Sequence, residues 1–183
     1  LCEDFRPQMA TVRPGVMQAL DSDGSRKGEI EEFKVEFDDS DMNVEIKEIS
    51  KQESQKKDIT EAKILVSGGR GIGGPEGFKP LQELADTLEA EISASRASVD
   101  SGWITKDHQV GQTGKTVRPE LYFAMGISGA IQHVAGMEDS DLIIAVNKDP
   151  EAAIFEIADL GVVGDINAVV PKLIESIERE KKI

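Results

Sequence analysis

Short apolar runs alternate with amphipathic segments from residue 62 to the end of the chain. Five runs have the length of buried strands, at residues 63–67, 91–95, 121–125, 142–146 and 161–163. A helix is predicted from about residue 80, because one helical face collects Leu81, Leu84, Ala85 and Leu88. Further helices are predicted at residues 128–135 and 151–158 and from residue 167 onward. Strands that alternate with helices predict an α/β fold with a doubly wound parallel sheet.

The first 49 residues follow a different pattern. Residues 9–12 predict a short strand that ends at Pro14. Two later runs alternate apolar with polar residues and predict a β-hairpin with one apolar face, formed by Phe33, Val35 and Phe37, then Met42, Val44 and Ile46. Because an isolated hairpin is marginal in water, this face needs a partner, either the main domain or a preceding one. Residues 50–61 are almost entirely polar and predict a linker to a domain at residues 62–183.

The charge balance and the cysteine content limit the classes of function. The 183 residues carry 35 acidic and 21 basic side chains, and the formal net charge of −14 argues against a broad nucleic-acid interface. Cys2 is the only cysteine, so no internal disulfide is possible, and no Cys/His set has the spacing of a zinc site. No apolar run reaches the roughly 18 residues of a membrane helix. We therefore expect a reducing compartment, no metal site, no nucleic-acid partner and no direct membrane insertion.

Polar, glycine-rich segments follow the predicted strands, and the carboxyl ends of strands in an open α/β sheet line one crevice. The first segment, from Gly69 to Gly74, fits the G-x-G-x-x-G pattern of dinucleotide loops. Alone, this pattern permits an NAD site or a connection that binds nothing. The second strand ends in Ser95-Arg96, however, where an NAD site would place an acidic residue for the ribose. Arginine can instead stack on a planar anion, with a surface salt bridge as the alternative.

Three later segments offer hydrogen-bond donors to a ligand. Residues 109–115 hold amide, hydroxyl and backbone N–H groups that can read the edge of a flat heterocycle, or form an ordinary turn. Residues 126–133 cross from a strand into a helix that Ser128 can cap, which predicts a phosphate site. His133 lies near the same end, either as a ligand contact or as a structural histidine. Asn147 and Asp165 end the last two strands, where adenosine contacts and ordinary turns are both reasonable.

Taken together, these segments resemble the C-terminal FAD domain of the electron transfer flavoprotein alpha subunit. The resemblance extends from about residue 62 to residue 180, and its most specific blocks are SGGRG at 67–71, SRA at 95–97, VGQTGK at 110–115, GISGAIQH at 126–133 and NKDPEA at 147–152. Residues 6–15 also resemble the closing strands of that subunit's first domain. The resemblance implies a Rossmann-like FAD domain in an electron carrier, not an enzyme that transforms a substrate.

The resemblance also implies which residues contact FAD. They are Arg70, Ser95, Arg96, Gln109, Val110, Gly111, Gln112, Thr113, Ser128, Gly129, Ala130, Ile131, Gln132, His133, Asn147, Asp165 and Ile166. Among them, Arg96, Thr113 and His133 are expected to tune the flavin potential, with Thr113 near N5 and His133 near the pyrimidine carbonyl. A cation at about 4 Å and an effective dielectric near 20 contributes roughly 4 kcal/mol. This upper bound equals about 170 mV for one electron, at about 59 mV per tenfold.

The resemblance implies partners as well. They are an electron transfer flavoprotein beta subunit, donors of the acyl-CoA dehydrogenase type as in fatty acid beta-oxidation, and a quinone reductase or another flavoprotein as acceptor. Such a protein would lie in the cytoplasm of a prokaryote or in the mitochondrial matrix of a eukaryote. Three alternatives stay open: an NAD-binding Rossmann enzyme, a module whose nucleotide is purely structural, and a subunit of an electron-bifurcating complex.

Overall fold

A computed structural model describes residues 6–12, 17, 20–38, 44, 47 and 58–181. The chain divides into two compact units. One comprises Leu1–Met17 with Lys57–Ile183, and the other comprises Gln18–Lys56. Every element that bears on the candidate site belongs to residues 58–181 of the first unit.

Five parallel strands form the central sheet. They are β1 Ile64–Gly68, β2 Glu91–Ala94, β3 Leu121–Met125, β4 Ile143–Asn147 and β5 Leu160–Val163. The spatial order is β2-β1-β3-β4-β5, so after β2 the chain crosses back over β1 to form β3. The boundary between the neighbouring strands β1 and β3 is therefore the switch point of the sheet. The predicted α/β class and the parallel, doubly wound sheet are confirmed, and each strand boundary lies within about one residue of its predicted place.

The helices agree less well with the sequence pattern. They are α1 Phe78–Leu88, α2 Arg96–Asp100, α3 Ile131–Val134 and α4 Ile166–Glu180. The helix predicted at residues 128–135 is reduced to one turn, because Gly126 and Gly129 adopt φ values of 65° and 88° that a helix does not allow. The helix predicted at 151–158 is only a 3₁₀ turn, Ala153–Glu156, since the Ile154 N–H donates to the Ser128 carbonyl instead of continuing a helix.

The two faces of the sheet bury different sets of side chains. Alternation along β1 and β3 sends Leu65 and Tyr122 to one face and Val66 and Phe123 to the other. Helices α1 and α4 cover the second face and contact each other. The first face is covered by the segments that follow β2, β3 and β4, whose buried residues include Val110, Val117, Ile127, Met137 and Ile154. Both faces are therefore dry, as a parallel sheet requires.

The strands predicted near the N-terminus do not form in the residues that the structure describes. Residues 9–12 form no strand, and neither does the run containing Phe33, Val35 and Phe37, where the Phe33 side chain is 85% exposed. Met42 and Ile46, in the second arm of the predicted hairpin, lie outside the described residues, whereas Val44 is described and exposed. Alternation alone does not make a strand, because an apolar face gains stability only from the surface on which it packs. The assignment of residues 1–49 to a preceding domain stays a prediction.

Two general features accompany this fold. Within the residues that the structure describes, no helix combines the length and the apolar character needed to cross a bilayer. In the same residues, no group of three or more His, Cys, Asp or Glu side chains is placed to hold a metal ion.

Candidate functional site

A cavity of about 670 Å³ lies at the carboxyl ends of β1 to β4. It is in the size range of pockets that hold small molecules, and it lies at the switch point of the sheet, where open α/β folds bind their ligands. Most of the predicted contacts line it: Arg70, Ser95, Arg96, Gln109, Val110, Gly111, Thr113, Ser128, Ala130, Gln132, His133 and Asn147. The four sequence segments that follow these strands therefore do share one cleft.

The glycine-rich loop after β1 packs against the loop after β3. The Gly69 N–H donates to the Met125 carbonyl at 2.8 Å, and the Gly71 N–H donates to the Gly126 carbonyl at 2.9 Å. A Cβ at Gly69 would lie 2.3 Å from the Gly126 oxygen, so no larger residue fits there. These glycines thus allow two backbones to touch. Because both N–H groups are already used, they are not available to bind a pyrophosphate as in an NAD loop.

The end of β2 brings a cation to the cavity wall. The Ser95 N–H and the Ser98 hydroxyl both donate to the Gly68 carbonyl, at 3.0 and 3.1 Å, and fix the start of α2 against β1. One residue later, the Arg96 Nε lies 3.1 Å from the Asp100 carboxylate, and the Arg96 side chain is 65% exposed. Asp100 also lines the cavity. The cation expected from the sequence is therefore present, but a carboxylate offsets part of its field.

The segment at residues 109–115 is held in place by backbone hydrogen bonds. The Val110 N–H donates to the Ala94 carbonyl at 2.9 Å, so the segment extends the end of β2. Gly111 adopts φ 135°, and a Cβ there would lie 2.7 Å from the Gln132 oxygen. The Gln109 side-chain amide donates to the Thr113 hydroxyl at 3.0 Å. This donation leaves the hydroxyl proton of Thr113 available to a ligand in the cavity.

His133 is a neutral histidine in the cavity wall. Its ring is buried, and Nε2 lies 3.0 Å from the hydroxyl of Tyr122, which is fully buried on β3. Burial lowers the pKa of His133 to about 4, and the backbone of Val110 opposes this to a smaller extent. Burial also raises the pKa of Tyr122, while Ser67 and Ser93 lower it to a smaller extent. At neutral pH both rings are therefore uncharged.

Several predicted contacts lie outside the cavity or serve the fold. The Asp165 carboxylate accepts from the Asn167 N–H at 2.9 Å, which caps α4, and pairs with Lys148 at 3.0 Å. These interactions hold the pKa of Asp165 below its ordinary value. The Asn147 amide donates to the Ile127 carbonyl at 2.8 Å. The predicted residues that do not line the cavity are Gln112, Gly129, Ile131, Asp165 and Ile166.

Other predictions at this site need correction. Ser128 does not cap α3, because the N-cap is Ala130 and no side chain caps the helix. A single helical turn also has little macrodipole to bind phosphate. The cavity is also lined by residues that were not among the predicted FAD contacts, namely Gly71, Ala97, Asp100, Gly126, Ile127, Asp149 and Ala152. Of these, only Asp100 lies outside the segments that the sequence indicated. Asp100 could have been predicted from the sequence, because a carboxylate four residues after Arg96 lies beside it on a helix.

Comparison with known proteins agrees with this geometry. A family model described as the electron transfer flavoprotein FAD-binding domain matches residues 58–138. The electron transfer flavoprotein subunit alpha of Thermoanaerobacterium thermosaccharolyticum is 56% identical over 180 residues, which is 98% of this chain and 54% of that protein. The chain belongs to the electron transfer flavoprotein alpha-subunit family. It spans about half the length of the curated relatives it matches, so it corresponds to part of such a subunit.

Two further relatives show the breadth of this family. The mitochondrial electron transfer flavoprotein subunit alpha of Dictyostelium discoideum is 56% identical over 142 residues, 78% of this chain and 40% of that protein. A protein of Anaerotignum propionicum named acryloyl-CoA reductase electron transfer subunit beta is 46% identical over 186 residues, 99% of this chain and 51% of that protein. Sequences similar to this chain thus occur in proteins whose names describe different electron transfer systems.

The residues of the cavity suit the cofactor of this domain family, which is FAD. A flavin dinucleotide needs a concave surface, a cation for its pyrophosphate and hydrogen-bond donors for its flat ring. The cavity offers Arg70, which has no ion pair in the part of the chain that the structure describes, together with the Thr113 hydroxyl. Gly71 and Gly126 also line the cavity, although the space beside each of them is filled by the backbone of the other.

Proposed function

We propose that this chain holds FAD in the cavity at the strand ends and passes electrons through it without transforming a substrate. The observation that carries the proposal is the convergence of segments from β1, β2, β3 and β4 on one cavity, in a chain of the electron transfer flavoprotein alpha-subunit family. When bound, FAD supplies the group that accepts and donates electrons. The chain's residues bind that group, orient it and set its affinity for electrons.

Each side chain has a distinct role in this proposal. Arg70 neutralises the negative charge of the pyrophosphate, and Arg96 favours negative charge on the reduced ring. The Arg96 contribution stays below the upper bound of about 170 mV, because the group is largely exposed and Asp100 lies 3.1 Å away. Thr113 donates a hydrogen bond to the ring, and Ser95 holds the cation-bearing turn against β1.

The partners of the whole protein are part of the proposal. The relatives' subunit names imply a heterodimer, so we expect a beta subunit of the same flavoprotein to bind this chain. Donors of the acyl-CoA dehydrogenase type and a quinone reductase or flavoprotein acceptor are the expected electron partners. The cytoplasm of a prokaryote or the mitochondrial matrix of a eukaryote is the expected location, since relatives include bacterial proteins and a mitochondrial one.

Absorption spectroscopy tests the proposal directly. The purified chain, mixed with FAD and passed through a desalting column, should stay yellow and release FAD on denaturation, whereas NAD should not be retained. Arg96→Ala should then lower the midpoint potential of the bound flavin. Arg179→Ala, which removes an exposed arginine at the far end of α4, is the matched control and should change the potential little. Retention of NAD in place of FAD, or equal potentials for the two variants, would contradict the proposal.

A further inference from the structure

Tyr122 approaches the cavity from inside the core. It is the only tyrosine of the chain, and its side chain is fully buried on the face of the sheet that also carries Leu65 of β1 and Ala124 of β3. Its hydroxyl lies 3.0 Å from Nε2 of His133, and the two ring centroids are 6.2 Å apart with a tilt of 57°. A polar atom of this core residue therefore touches a ring of the cavity wall.

The protons of this pair can be assigned from their partners. A phenol has one proton to donate, and a neutral imidazole has one donor and one acceptor nitrogen. If Nε2 donated to Tyr122, the phenol proton would need another acceptor. The Ser67 and Ser93 hydroxyls lie nearby, but neither makes a hydrogen bond of regular geometry. When the phenol donates to Nε2, the phenol proton has an acceptor and the lone pair of Nε2 has a donor.

The other imidazole nitrogen is consistent with this assignment. Nδ1 of His133 is buried and has no hydrogen bond of regular geometry within the described chain. The backbone of Val110 raises the pKa of the ring slightly against the effect of burial. With Nε2 engaged by the Tyr122 hydroxyl, Nδ1 is the nitrogen left to carry the proton of the neutral imidazole.

We propose that Tyr122 is a positioning residue: its hydroxyl donates to Nε2 and holds His133 as the neutral Nδ1–H tautomer in the cavity wall. Where the proposal concerns the cofactor it rests on the proposed function, because His133 then offers a bound flavin no positive charge and no Nε2–H donor. Tyr122 does not touch the cavity itself, since it is absent from the residues that line it. Its hydroxyl acts on the cavity through His133.

Nitrogen NMR of the two histidines tests this tautomer without any flavin. The full chain, with ¹⁵N-labelled histidine, gives signals only from His108 and His133. His108 is an internal reference, because its Nδ1 lies 2.8 Å from the Ile92 carbonyl, which can only accept. At neutral pH both rings should show a protonated Nδ1. In Tyr122→Phe, the ratio of His133 tautomers should move roughly tenfold toward Nε2–H, as expected for loss of a buried hydrogen bond, while His108 should not change.

A second substitution keeps the test decisive if Tyr122→Phe does not fold. Growth on 3-fluorotyrosine replaces Tyr122 alone and makes its phenol more acidic, so a bond donated to Nε2 should strengthen and shift the Nε2 signal of His133 selectively. A protonated Nε2 in the wild type, or a His133 signal that responds to neither substitution, would overturn the proposal. Because no flavin is needed, failure to bind FAD would reject the proposed function and leave the tautomer assignment standing.

Discussion

Acidification should destabilise the folded chain through His133, and replacing His133 with glutamine should remove that effect. An ordinary histidine has a pKa of about 6.5, whereas burial lowers the pKa of folded His133 to about 4. Between these values the unfolded chain binds a proton that the folded chain does not. The stability that neutral His133 contributes is thus complete above pH 6.5 and is lost as the pH falls toward 4.

The magnitude follows from the same two values. One pKa unit corresponds to about 1.4 kcal/mol, so the loss reaches about 3 kcal/mol at pH 4. His133 is only 6% exposed, so solvent screening reduces this little. With a urea dependence of about 2 kcal/mol per molar, the unfolding midpoint should fall by about 1.5 M from this group alone. Glutamine has no titrating group and can still accept a hydrogen bond from Tyr122.

Urea unfolding of both flavin-free proteins, followed by circular dichroism between about pH 7.5 and pH 4, measures this loss. The stability of the wild type minus that of His133→Gln should decrease by about 3 kcal/mol over the range. Carboxylates such as Asp58, whose pKa is lowered mainly by the Thr60 N–H, lose their contribution at still lower pH and equally in both proteins. A difference that stays constant with pH would refute the reasoning that His133 is buried and neutral.

Three further predictions concern the cavity and its support. Asp100→Asn should raise the midpoint potential of bound flavin, opposite to Arg96→Ala, because Arg96 loses its counter-charge; a redox titration showing the same sign for both would contradict this. Gly111→Ala should weaken FAD binding in a fluorescence titration, since φ 135° is strained for alanine. The control is Gly24→Ala, which should bind FAD normally because a Cβ at that position has no atom within 4 Å. Asp165→Ala should lower the unfolding temperature through loss of the α4 cap, while Asp165→Asn keeps it; a large loss of FAD affinity in both variants would instead support an adenosine contact.

The sheet could be predicted from the sequence because its signal is local. Apolar runs of three to five residues between amphipathic segments are typical of strands with both faces buried, and all five runs became parallel strands. The short helices could not be predicted in the same way. Their lengths depend on bonds between distant segments, such as the Ile154 N–H to the Ser128 carbonyl, which no periodicity reports.

The site was partly predictable for a related reason. Residues at strand ends are brought together by the topology of the sheet, so the alternation of strands and helices was enough to group Arg70, Ser95, Gln109 and His133 in one cleft. What each group does there depends on its partner. The carboxylate of Asp165 caps a helix, and nothing in the sequence around residue 165 distinguishes that role from a ribose contact.

The charges of the cavity wall indicate how such a site can tune a cofactor. Two cations, Arg70 and Arg96, stand against two carboxylates, Asp100 and Asp149, and His133 adds no charge. Because the formal sum is zero, net charge cannot bias a bound ring toward reduction. The positions of the individual charges relative to the ring must set that bias instead, because Coulomb energy falls with distance and solvent reduces it further for the most exposed groups. Removing either member of the Arg96 pair should therefore change the potential, in opposite directions and by less than an isolated charge would.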